Sequence, residues 1–226
     1  MWSTVIGLVA LAAIGARLVL VFRRAQGRKK ATEEFLFADV LKTIQEPVFE
    51  HMGPHGFRRL SGRYEGFPVQ IYPLVDTLAT RRLPALWLLV TLQDNLPVAA
   101  RFDMMMRPAG PTTFSNFDHL PRSLERPEGF PEHAVIRTDD VEAVLPASII
   151  KPHLAPFFGP KAKELLITEN GVRMVWLLAE AERARYGVFR QAEFGTVQIE
   201  GLVIKDILDR LIAIRQDIID WDRSKT

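Results

Sequence analysis

Leu165-Leu166-Ile167-Thr168-Glu169-Asn170-Gly171-Val172-Arg173-Met174-Val175-Trp176-Leu177-Leu178 carries the clearest local signal in the chain. Two apolar runs of strand length flank an Asn-Gly pair. Asn-Gly supplies the positive φ angles of a type I′ turn, so the stretch predicts a β-hairpin. Working outward, Phe57 to Tyr64, a turn at Glu65-Gly66 and Phe67 to Leu74 predict a second, half-buried hairpin.

Within Leu83 to Leu92, Ala85 to Val90 is continuously apolar, as expected of a central strand covered on both faces. Val98 to Met106 alternates: Val98, Ala100, Phe102, Met104 and Met106 face in, Arg101 and Asp103 out, and Met105 opposite its neighbours. The methionines read as core filler. His133 to Arg137 adds a short strand, and Thr138-Asp139-Asp140 a turn or cap. Val141 to Phe158 reads as broken helix, with Pro146 and Pro152 as starts or breaks. Arg185 to Phe189 offers one more strand.

Two helices complete the pattern. Thr32 caps a helix carrying Phe37, Val40, Leu41, Ile44 and Val48, kinked at Pro47 and stopped by Gly53-Pro54. From Leu202 to Trp221, Ile204, Ile207, Leu211, Ile214 and Ile218 recur at steps of three and four, widened by Leu208, Ile212 and Ile219. So wide a stripe suits packing on a sheet better than a coiled-coil seam. The fold class is α+β, a mainly antiparallel sheet covered by helices, over residues 33–226.

Upstream lies an apolar run, residues 2–22, about 30 Å long as a helix and thus long enough to cross a bilayer. Arg17 near its end costs at most about 3.5 kcal/mol, and the large apolar residues return about 3 to 7 kcal/mol. A cleaved signal peptide carries its basic residues before the apolar run. Here Arg23, Arg24, Arg28, Lys29 and Lys30 follow it, in a linker spanning 23–32. The expected topology is a single-pass anchor with the N-terminus outside and the domain cytoplasmic. The collar would also meet anionic lipid.

With 226 residues and a net charge of +2, much of it in the collar, the domain lacks the basicity that nucleic-acid binding requires. The absence of cysteine excludes disulfides, zinc thiolates and thiol catalysis. No cofactor or metal motif stands out: His51 and His55 are four apart, but Gly53-Pro54 between them destroys the helix such a metal pair needs. His119 and His153 read as surface residues.

Segment 107–131, with Pro108, Pro111, Pro121, Pro127 and Pro131, breaks all periodicity yet carries Phe114, Phe117, Asp118, His119 and Phe130. Two readings stand side by side: a loop that binds a protein partner, and a loop pinned to the domain by its phenylalanines. Around it, 33–106 and 132–226 can be read as two similar lobes, without a sequence repeat to prove duplication.

The order of span, helix, Gly62-x-Tyr64-x-Gly66 hairpin, strand with Asp139-Asp140, helix, Asn-Gly hairpin and closing helix resembles that of bacterial single-pass membrane-anchored proteins of unknown function. The resemblance implies a cytoplasmic α+β domain tethered to a membrane and lends no catalytic residues. Two functions follow as expectations. One is a non-enzymatic, protein-binding accessory module of a membrane complex. The other is a membrane-anchored hydrolase or other enzyme, its site assembled from His51, Asp118, His119 and His153.

Overall fold

The computed structural model describes Arg17 and residues 34–52, 56–76, 83–181 and 194–225. Nine strands form one antiparallel sheet: β1 (Gln45–His51), β2 (Arg58–Tyr64), β3 (Phe67–Asp76), β4 (Ala85–Gln93), β5 (Phe102–Met106), β6 (Arg122–Leu124), β7 (Ala134–Thr138), β8 (Ala162–Thr168) and β9 (Gly171–Glu180). Their spatial order is β1-β2-β3-β4-β9-β8-β5-β7-β6. A short helix α1 (Ala147–Ile150) and the closing helix α2 (Gly201–Arg223) lie on the front of the sheet.

The α2 stripe does what its width predicts. Ile204, Ile207, Leu208, Leu211, Ile214 and Ile218 are buried against Leu88, Val90, Leu92, Val172 and Met174, the front residues of β4 and β9. Leu211 and Ile214 are both 0% exposed. The helix tightens onto the first hairpin through Tyr64, whose hydroxyl donates to Asp209 Oδ1 at 2.6 Å and accepts from Lys205 Nζ at 3.0 Å.

Both hairpins form, but the type I′ sign pattern sits in the other one. Glu65 (φ 47°) and Gly66 (φ 84°) are both positive, joining Tyr64 to Phe67. In the second hairpin Asn170 is not among the positive-φ residues. Gly171 alone is (φ 135°), and a Cβ there would collide with the Leu92 carbonyl of the neighbouring strand. Close approach to β4, together with that φ, makes this glycine necessary.

The helix expected over 32–52 is corrected. Residues 34–37 form one helical turn and Val40–Lys42 a 3₁₀ turn, after which Gln45–His51 is an edge strand. Phe37, Val40 and Ile44 are buried as their spacing suggests, but Leu41 and Val48 of the same stripe are exposed. Pro47 fits an edge strand with a register shift, as seen between Gln45 and Val48, because an edge leaves one row of backbone donors unpaired.

Segment 107–131 is not wholly irregular either: Phe117–His119 is a 3₁₀ turn and β6 closes the sheet edge. The halves 33–106 and 132–226 contribute to one continuous sheet, with β5 of the first lying between β8 and β7 of the second. Among the described residues no helix is long and apolar enough to cross a membrane. Apart from Arg17, the apolar run 2–22, the collar residues Arg23, Arg24, Arg28, Lys29 and Lys30, the Thr32 cap and the strand expected at Arg185 to Phe189 lie outside the described residues.

Candidate functional site

The back of the sheet, away from α2, carries the polar chemistry. Register sets it up: Asp103 on β5 stands opposite Arg137 on β7 and Leu166 on β8, while Glu164 stands opposite Met105, one diagonal step from Asp103. Asp103 was expected to face solvent. It does face away from the front core, but it is buried, because this face is covered here too.

The cover is the stretch after β5. Thr113 Oγ1 donates to Asp76 Oδ1 at 3.3 Å, which draws the chain back to β3. Phe114 packs on Trp87 of β4 with ring centroids 5.4 Å apart. Phe117 lies under the Arg137 guanidinium, 5.2 Å from the ring centroid. Arg137 Nη1 also donates to the carbonyls of Asp118 and Leu120, each at 3.2 Å. The segment is thus a strap fastened from β3 to β7, and Met105, Phe114, Phe117 and Val175 form a small core of their own beneath it.

Under the strap, Glu164 is completely buried and accepts from Arg173 Nη2 at 3.0 Å. Asp103 Oδ1 has no hydrogen-bond partner among the described residues. Arg137, though directly opposite, spends its guanidinium on the strap. Loss of solvent, reinforced by the charge of Glu164 and opposed by Arg173, pushes the Asp103 carboxyl up to about 8. Burial raises Glu164 as well, with Arg173 working against it. The pair therefore keeps a proton at neutral pH, in reach of the Arg173 guanidinium.

The residues singled out from sequence divide sharply. Phe114, Phe117 and Phe130 are buried in the domain, Phe130 in the front core. Asp118 and His119 are exposed on the strap. His51 ends edge strand β1, whereas Asp118 and His119 precede β6, the opposite edge, across roughly 40 Å at the usual strand spacing. His153 lies on the front instead, buried rather than on the surface as expected, with Nε2 2.8 Å from Asp217 Oδ2 of α2. The four residues of the enzyme reading do not converge. Asp139 and Asp140 act as turn residues, as expected: Asp139 Oδ1 accepts from the Arg101 backbone and Asp140 Oδ1 from that of Glu142, at 2.8 and 2.9 Å.

Sequence reading missed Asp103, Glu164 and Arg173. A signal was present, because Glu164 borders the apolar run of β8 and Arg173 interrupts that of β9. A charge on each strand of one hairpin suggests a cross-strand pair.

Next to the covered acid the back face is open. Gln70, Thr91, Arg173 and Leu166 are direct cross-strand partners on β3, β4, β9 and β8, and all four are half-buried. Tyr72 and Leu89, an adjacent pair, are half-buried too.

No family model matches the sequence, and no curated protein matches it. Among solved structures, the crystal structure of the mycobacterial trehalose monomycolate transport factor A, TtfA, aligns with a TM-score of 0.43 at 10% identity, covering 81% of this chain and 95% of that one. A likeness of that size carries no argument about activity or partners.

Proposed function

We propose that this protein is a membrane-tethered, non-enzymatic accessory module that holds a protein partner against the back of its sheet, on the cytoplasmic side of the bilayer. The observation that carries the reading is the cross-strand row Gln70, Thr91, Arg173 and Leu166, left half-buried between the strap and the first hairpin. Polar and aliphatic groups in one row on a rigid sheet suit a protein surface, and the Arg173 guanidinium, held by Glu164, keeps the row rigid. Tyr72 and Leu89 beside the row, and Asp118 and His119 on the strap, extend the surface. The apolar run 2–22 and the five basic residues after it support tethering and a cytoplasmic domain.

The test is a photo-crosslinking side chain placed singly at Gln70, Thr91 and Leu166, with exposed Asp206 of α2 as control, in cells expressing the full chain. A common adduct from the row, absent from position 206, supports the reading. Adducts at none of the row positions, or the same adduct from all four, overturn it.

A further inference from the structure

One corner of the domain has exposed apolar side chains that the sheet and its partner face do not use. Phe35, Leu41 and Leu202 are 45%, 37% and 82% exposed. They are far apart in sequence but are drawn together by two clamps: the Ile199 N–H donates to the Leu36 carbonyl at 2.9 Å, and the Gly201 N–H donates to Asp39 Oδ2 at 2.7 Å. Phe35 and Leu202 each adjoin a clamped residue, and Leu41 lies two positions beyond Asp39. Of the carboxylates near this corner, Asp39 is ion-paired to Lys42 at 2.9 Å, while Glu34 and Glu200 are exposed close to Phe35 and Leu202.

The described residues that follow the collar begin at this corner, with Glu34. Only Ala31, Thr32 and Glu33 separate Glu34 from Lys30, the last basic residue of the collar. The four steps from Lys30 to Glu34 reach about 14 Å when extended. If the collar lies among lipid headgroups, the entry corner cannot stand far from them, and exposed Phe and Leu beside basic residues have the composition of an interfacial contact.

We infer that Phe35, Leu41 and Leu202 form the bilayer-facing corner of the domain and dip into the headgroup region of an anionic membrane. This sets the orientation of the sheet relative to the membrane. The inference rests on the tethering proposed above and adds to it which face of the domain meets lipid.

The chain has no cysteine, so single labels are available without altering it otherwise. The full chain carrying Leu202→Cys, Leu41→Cys or Phe158→Cys is labelled with an environment-sensitive fluorophore. Each is reconstituted into phosphatidylcholine vesicles with and without phosphatidylglycerol, then challenged with doxyl-labelled lipid. Phe158, 65% exposed, ends the 3₁₀ turn Ala155–Phe158, which packs on β8, five strands along from β1.

The expected result is quenching several-fold stronger at 202 and 41 than at 158, and stronger with phosphatidylglycerol. Equal quenching at all three positions in protein that floats with the vesicles overturns the inference while leaving tethering intact. A blue-shifted label at 202 that lipid does not quench means the chain's own N-terminal residues cover the corner, and overturns it too. Protein that fails to float overturns the tethering and the inference together.

Discussion

Asp39 accepts the backbone N–H of Gly201 through Oδ2 at 2.7 Å, so a carboxylate 162 positions upstream serves the first turn of the closing helix. The residue at the helix's own N-cap position, Glu200, makes no capping bond with its side chain. The Gly201 bond, with Lys42, holds the Asp39 carboxyl below its ordinary value. A carboxylate with a lowered folded-state pKa stabilises the fold above the ordinary value near 3.8, and the stabilisation disappears as pH falls through the folded value. Asp39→Ala should speed hydrogen exchange at 201–204 at neutral pH, and should make no difference once the pH is below both values. Unchanged exchange at neutral pH would remove Asp39 as the cap.

Leu211 tests the front core. With 0% exposure on the centre of the α2 stripe, its truncation to Ala should cost about 2 to 5 kcal/mol, from lost transfer energy and an unfilled cavity. Denaturant unfolding of a chain starting at residue 31, with mass measured in parallel, provides the check. Unchanged stability with a drop from dimer to monomer would make α2 an interface helix.

The buried acid gives stability an unusual pH slope. Burial beside Glu164 pushes the Asp103 carboxyl up to about 8, from an ordinary value of 3.8. Between those values the folded state holds a proton that the unfolded state has lost. Stability must therefore fall as pH rises through the window, by at most about 1.4 kcal/mol per pH unit for one proton. Asp103→Asn should flatten the slope and gain most stability, relative to the parent, at the alkaline end. Urea midpoints measured from pH 5 to 8 decide it: parallel curves for parent and variant would mean that Asp103 is ionised in the folded state.

What the sequence made legible was whatever local physics settles. The first hairpin, the broken helix around Pro146 and Pro152, and the α2 stripe followed from turn chemistry and period, whereas the second hairpin formed without the positive φ at Asn170 that a type I′ turn requires. The Gly62-x-Tyr64-x-Gly66 pattern has local and tertiary causes: Gly66 supplies a positive φ, a Cβ on Gly62 would come within 2.6 Å of the Gln45 carbonyl oxygen, and Tyr64 reaches α2. What stayed hidden depended on long-range pairing. Residues 45–51 repeat their apolar groups ambiguously, and only pairing with β2 makes them a strand. Asp103 alternates correctly, but nothing local reveals that a strap fifteen residues downstream will cover it. The same strap consumes Phe114 and Phe117, so of the two readings of that loop the packing of its phenylalanines is the one visible in the fold.

The most direct test of the central claim, a domain tethered inside the cell by the residues before Arg23, uses one label. Val141 is 50% exposed, and Val141→Cys in the otherwise cysteine-free full chain gives a single reactive thiol on the domain. Expressing cells are treated with a membrane-impermeant maleimide before and after permeabilisation, and the membranes are then washed in alkaline carbonate. The account predicts labelling only after permeabilisation, with the labelled protein retained in the washed membranes. Labelling of intact cells, or release of the protein by carbonate, would contradict it.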